Sequence, residues 1–297
     1  MKPPTSPCRN RTARMGNRRP KTGPQCWLSL GVVFLVVVTG CEQMPKAILD
    51  AAEARWKAGD YLGAVQDYER LVEDYPKSVY ADDAYYAIGT LEYLYLNDYP
   101  KAIEAFRKVV TEHPNSPLVM QAEQTLAEIY EKKYHDYRRT VAEYQKLLER
   151  TKDRAVAEEV QYRIGEVYFD QGDYDQARNE WDQLLKQSPN SEWADNALYR
   201  TGSSYFLQGR YNEALVIYQE TIKRYPHSDV RIEVRFWLAN CLEELDRLDE
   251  ALREYRSLAK IYPNPKVVGI KIQSIESRLR TVIGKPPVTS GPPAEPE

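Results

Sequence analysis

The thiol best placed for chemistry is Cys41, which closes the stretch LVVVTGC directly after the apolar run Trp27–Val38. Such a cysteine ends a membrane-spanning anchor, follows a discarded secretion signal, or receives a lipid. Twelve apolar residues fall short of the roughly 20 that a helix needs to cross a bilayer. A basic leader, a short apolar core and small residues at its end instead form a secretion-signal pattern. The leader before Trp27 is long at 26 residues, so Met15 is an alternative start. The other chemically capable residues are scattered. His113, His135 and His227 fall at predicted helix ends or turns, far apart in the chain. The acidic pairs Asp82-Asp83, Glu158-Glu159 and Glu243-Glu244 read as solvated or helix-N-terminal charges. No His, Cys and carboxylate set has metal-ligand spacing, and no glycine-rich loop could cradle a phosphate. The sequence therefore predicts neither an enzyme nor a cofactor or metal site. Cys241, within FWLANCL, is expected to be a buried and inert thiol.

Charge separates the leader from the body. Residues 1–40 hold seven basic and no acidic side chains, leaving 34 basic against 44 acidic residues from Cys41 onward, near −10. An acidic body argues against nucleic-acid binding, which needs basic surface to release counterions. Val38-Thr39-Gly40-Cys41 resembles a bacterial lipobox. That resemblance implies diacylglyceryl transfer to the Cys41 sulfur, cleavage before it and acylation of the new amine. Residues 1–40 then form a removed signal region and 41–45 a lipidated tether; two or three acyl chains anchor firmly where one is marginal. Glu42 is not the aspartate that retains such proteins in the enterobacterial inner membrane. This implies the periplasmic face of the outer membrane, with the inner membrane as the alternative.

The elements that position everything else repeat. GDYLGAVQDYERLVEDYPKS (59–78), NDYPKAIEAFRKVVTEHPNS (97–116), GDYDQARNEWDQLLKQSPNS (172–191), GRYNEALVIYQETIKRYPHS (209–228) and DRLDEALREYRSLAKIYPNP (246–265) align without gaps. HDYRRTVAEYQKLLERTKDR (135–154) fits between the second and third of these but lacks the proline. The markers Tyr61, Tyr99, Tyr137, Tyr174, Tyr211 and Leu248 are spaced 38, 38, 37, 37 and 37 residues apart. Three residues on comes a small residue (Ala64, Ala102, Thr140, Ala177, Ala214, Ala251), and four further an aromatic (Tyr68, Phe106, Tyr144, Trp181, Tyr218, Tyr255). That spacing puts both on one helical face. Pro76, Pro114, Pro189, Pro226 and Pro263 predict the helix ends. Ser78, Ser116, Ser191 and Ser228 are expected to cap the helix that follows. An upstream helix in each repeat carries Gly89, Ala127, Gly165, Gly202 or Ala239 at one equivalent position, which predicts close helix approach.

These motifs resemble the tetratricopeptide repeat family. Ile164-Gly165-xx-Tyr168, Ala177, Trp181 and Pro189 match its signature. The resemblance implies an all-α, right-handed solenoid of about six helix-turn-helix repeats over residues 46–283. Residues 266–283 form the capping helix, and a Pro-rich tail at 284–297 is expected to be disordered. It also implies that Tyr86, Tyr162, Tyr199 and Phe236 face a concave groove, with Glu166, Ser203 and Asn240 as polar companions, and Gln124 taking the ring position in the third repeat. The competing expectation for these rings is packing between repeats. Among tetratricopeptide lipoproteins the chain resembles the BamD family of outer-membrane assembly factors. Its expected partners are then barrel-assembly subunits and unfolded outer-membrane proteins. That family usually has five repeats and a long insertion, which this chain lacks. The regular later repeats are closer to the Tol–Pal coordinator family, and a general scaffold for polysaccharide export or another envelope machine is a third expectation.

Overall fold

The computed structural model describes residues 30–283, with side-chain surroundings for 43–281. Most of the expected signal region, the Cys41 side chain and the tail 284–297 lie outside the described residues. The described residues are helical, and the chain divides into two compact units, Met1–His135 and Asp136–Glu297.

The first unit holds α1 (Leu30–Ala58), α2 (Tyr61–Asp74), α3 (Ala81–Leu91), α4 (Tyr99–Glu112) and α5 (Val119–Ile129). The second holds α6 (Tyr137–Arg150), α7 (Arg154–Gln171), α8 (Tyr174–Gln187), α9 (Ala194–Leu207), α10 (Tyr211–Arg224), α11 (Arg231–Glu244), α12 (Leu248–Leu258) and α13 (Pro265–Ile283). Within each unit every helix packs on its neighbours in sequence, the one-dimensional stacking of a solenoid. The architecture is an all-α, tetratricopeptide-type solenoid ending in the distinct helix α13. Odd-numbered helices up to α11 are the first (A) and even-numbered ones the second (B) of each repeat.

Local chemistry explains the element ends. Asp60, Asp98, Asp136 and Asp173 each accept a hydrogen bond from the backbone N–H three residues on, at 3.0–3.2 Å, and so cap four B helices. Arg210 and Arg247 stand at the same place in the last two full repeats without a side-chain cap. The serines act one step earlier than expected. Ser78, Ser116, Ser191 and Ser228 accept from the N–H two residues ahead, at 3.1–3.2 Å. They close the turn before the A helix, whose N-cap residues Tyr80, Leu118, Trp193 and Val230 have no side-chain cap bond.

The change of period from 38 to 37 has a visible cause. Gly59, Asn97, His135, Gly172, Gly209 and Asp246 all have positive φ, one per repeat at one position between A and B helices. In the repeats that run 38 residues the extra residue lies just before that position. It is taken up as a π-helical turn, Glu92–Leu96 after α3 and Tyr130–Tyr134 after α5. Asp98 N–H accordingly reaches back six residues to Glu92 O, whereas Asp173 N–H reaches back five to Tyr168 O. His135→Gly should relieve a left-handed strain that glycine does not carry. After the added freedom of the unfolded chain is offset, a gain of about 0.5–1 kcal/mol is expected in thermal denaturation.

The core runs along the A–B seams. Tyr68, Phe106, Trp181, Tyr218 and Tyr255 are at most 2% exposed. A Cβ added at Gly89, Gly165 or Gly202 would come within 2.3–2.8 Å of the ring of Phe106, Trp181 or Tyr218, which is why these positions are glycine. Cys241 is fully buried and burial pushes its thiol up to about 12, so it stays protonated and unreactive. On α13, Val268 and Ile275 are fully buried and Ile272 and Leu279 pack partly against the same cluster.

Candidate functional site

Three groups of residues in the second unit recur at 37-residue intervals on its A helices: Tyr162, Tyr199 and Phe236; Arg163, Arg200 and Trp237; Glu166, Ser203 and Asn240. The first column faces inward more than outward. Tyr162 and Phe236 are each 7% exposed. Tyr162 stacks on Trp193 at 4.9 Å between centroids, and Phe236 stacks on Tyr262 at 4.5 Å. Tyr199 is half-buried and lies 6.3 Å from Tyr218. Tyr86 belongs to the first unit, where it is half-buried with its ring edge-on to Phe106 at 5.4 Å; Gln124, in the same unit, is exposed. Each of the four rings also lies 5.4–6.4 Å from the aromatic that marks the following B helix. Burial pushes the Tyr162 hydroxyl up to about 12.

The polar companions differ in what they offer. Ser203 Oγ donates to Tyr199 O at 3.0 Å and accepts from Tyr218 Oη at 3.3 Å. Asn240 is buried and donates to Phe236 O at 2.8 Å. Glu166 Oε2 accepts from Arg200 Nη2 at 2.7 Å, while its Oε1 is buried without a hydrogen-bond partner. Burial raises the Glu166 carboxyl above its ordinary value, with Arg200 opposing.

A carboxyl raised in the folded state binds its proton more tightly there, so its penalty is absent at low pH and grows as pH rises through the folded value. Removing Arg200 raises that value further. Arg200→Ala should cost about 1–3 kcal/mol at pH 7 and less at pH 4.5. Urea unfolding at the two pH values measures the difference.

The column of Arg163, Arg200 and Trp237 is the one that reaches solvent and crosses repeats. The Arg200 guanidinium on α9 lies 5.1 Å above the Phe169 ring of α7. Phe206 on α9 meets Trp237 on α11 edge-on at 5.0 Å, and Trp237 Nε1 donates to Glu233 Oε1 at 3.1 Å. Leu207 beside them is 55% exposed. The 37-residue spacing of Arg163, Arg200 and Trp237 was the available signal. Arg, Phe and Trp together supply stacking area and charge, as protein-docking surfaces do.

The scattered titratable residues have structural posts. His113 is the C-cap of α4 and His135 a left-handed turn residue. Glu158 pairs with Arg154 at 2.6 Å, and Glu243 accepts from Tyr255 and Lys271. Among the described residues no three or more His, Cys, Asp or Glu are placed to hold a metal ion, and no helix is long and apolar enough to cross a membrane.

Three tetratricopeptide repeat family models match the chain, over residues 49–117, 156–227 and 205–271. The chain is a tetratricopeptide-repeat protein. Comparison with the curated proteins gives no match. Among solved structures, a tetratricopeptide repeat protein from Parabacteroides merdae is 14% identical with a TM-score of 0.50, covering 79% of this chain and 99% of that one. PilW, a widely conserved type IV pilus biogenesis factor, is 16% identical with a TM-score of 0.48 over the same shares. MamA is 18% identical with a TM-score of 0.46, covering 61% of this chain and 92% of its own. At these identities the likeness concerns the fold alone. A tetratricopeptide array of this kind is a scaffold for protein–protein interaction.

Proposed function

We propose that the protein is a lipid-anchored scaffold of the bacterial cell envelope that holds partner proteins on its A-helix face. Residues 1–40 are removed, Cys41 carries the acyl chains, and the solenoid 46–283 lies at the periplasmic face of the outer membrane. The observation that carries this reading is the placing of Val38-Thr39-Gly40-Cys41 directly ahead of a protein-binding repeat array. Six repeats that continue without an irregular insertion support a component of an export-type or Tol–Pal-type complex. A role in outer-membrane protein assembly is the second reading. The lipobox and the first repeats, YPKSVYADDAYYAIG through NDYPKAIEAFRKVV, favour it.

Two measurements test the proposal. Mass spectrometry of the mature N-terminus should find an acylated Cys41 as the first residue; an unmodified Cys41, or cleavage elsewhere, overturns the anchor. Affinity purification from detergent-solubilised membranes should recover subunits of one envelope complex. Export or Tol–Pal subunits support the first reading, and barrel-assembly subunits replace it with the second.

A further inference from the structure

The second unit ends its two kinds of helix differently. Its B helices carry basic side chains in the last turn: Arg150 on α6, Lys186 on α8, Lys223 and Arg224 on α10, and Arg256 on α12. Cations there answer the negative end of the helix dipole. The A helices α7, α9 and α11 have none in that turn. They end on Asp170, Leu207 and Glu244, 37 residues apart and two turns beyond Arg163, Arg200 and Trp237 on the same face. All three are exposed, and among the described residues neither carboxylate has an ion-pair partner. A carboxylate at a helix C-terminus opposes the dipole and faces the free carbonyls of the last turn. Stability therefore does not account for Asp170 and Glu244.

The fold covers one such end itself. At the C-terminus of α11, α13 brings Lys271 to 2.9 Å from Glu243, and Arg278 to 3.6 Å from Glu243 and 3.0 Å from Asp246. Between those two cations in sequence, Ile275 is fully buried. Cation, apolar side chain, cation is thus the chemistry that closes a helix end of this kind within the chain. On the A-helix face the same need is unmet. Phe206 and Leu207, on α9, stand between Asp170 on α7 and Glu244 on α11, and Trp237 meets Phe206 edge-on at 5.0 Å. Arg200 is held by Glu166 at 2.7 Å and Arg163 by Glu159 at 3.9 Å, so no net positive charge on α7 and α9 opposes a cation there. Packed helices sit about 10 Å apart, which puts α7 and α11 roughly 20 Å from one another across α9. An extended chain rises about 3.3 Å per residue with alternate side chains on one side. Two cations six residues apart therefore match the two carboxylates, and the two positions between them that point the same way meet Phe206 and Leu207.

We infer that the ends of α7, α9 and α11 form a ledge for an extended basic segment of a partner protein. One cation sits at Asp170, one at Glu244, and apolar side chains rest on Phe206 and Leu207 between them. The inference rests on the A-helix face being the docking surface and names the chemistry held along one edge of it. Arg163 lies two turns away, about 10 Å along α7, and is not part of the ledge.

The test titrates the full chain against a fluorescein-labelled peptide, Lys-Ser-Leu-Ser-Leu-Ser-Lys, read by anisotropy. The parent chain should bind it, and an Asp170→Lys, Glu244→Lys variant should bind it about tenfold more weakly. Glu192→Lys with Asp229→Lys is the matched control. It makes the same change of charge at exposed carboxylates just before α9 and α11, at the opposite ends of those helices, and should leave binding within about twofold. All four side chains are exposed, so melting temperatures should stay near that of the parent. A peptide with glutamate in place of both lysines should not bind. No binding of the lysine peptide, equal weakening by the two variants, or undiminished binding of the glutamate peptide overturns the inference. Partner capture from membranes does not use this peptide, so a failed ledge and a failed scaffold are separate results.

Discussion

Trp181→Ala should be among the most damaging single substitutions in the second unit, costing about 3–5 kcal/mol in urea unfolding. The indole is fully buried between α7 and α8, with Gly165 directly beneath it. Its Nε1 donates to Tyr162 O at 3.2 Å, and Tyr162 and Phe169 lie 6.4 and 5.9 Å from it. Removing it empties the seam that also sets the Tyr162 and Phe169 rings, and a solenoid has no second layer to refill the space. Trp181→Phe, which keeps most of the ring volume, should recover more than half of the loss. Hydrogen exchange should show the damage centred on α7 and α8, since contacts in such an array are confined to neighbours.

The same substitution at two glycines should have opposite signs. In an exposed helix interior, Gly→Ala gains about 1 kcal/mol from propensity. Gly269 on α13 has nothing within 4 Å of an added Cβ, so Gly269→Ala should realise that gain. At Gly165 the added Cβ would lie 2.3 Å from the Trp181 Nε1. The indole cannot retreat without giving up its hydrogen bond to Tyr162 O, and overpacking costs about 1–3 kcal/mol. Gly165→Ala should therefore lose up to about 2 kcal/mol net of propensity. Thermal melts of the two single variants give the sign directly. Repeat six carries Ala239 at the equivalent position, in one buried cluster with Tyr255.

The sequence was most informative where one residue type does one mechanical job in every repeat. The small-then-aromatic pair in each B helix, the glycine or alanine opposite it and the terminal prolines foretold six B helices and five of the A helices that pack on them. The 38-to-37 change of period was visible too, but its answer, a π-helical turn ahead of Asn97 and His135, needed backbone geometry. The serines were placed one step late, because a hydroxyl near a helix start serves a turn as readily as a cap.

The candidate surface was less legible. Tyr162, Tyr199 and Phe236 stood out as aromatics at a regular interval, yet whether a ring faces a groove or a neighbouring ring depends on packing across the seam. Trp193 and Tyr262, which stack on two of them, come from two different positions of the repeat, the A-helix N-cap and the residue before the terminal proline. Arg163, Arg200 and Trp237 share the same interval but differ in type, and a column of mixed residues gives no compositional signal.

The central claim is that partners are held on the A-helix face rather than elsewhere on the solenoid. It is tested most directly by capture from detergent-solubilised membranes with the full chain and with a Leu207→Asp, Arg163→Glu double variant. Both side chains are exposed, so the melting temperature should change little. The account predicts that the double variant stays folded and loses its partners at least tenfold. Undiminished capture by the folded double variant would contradict it.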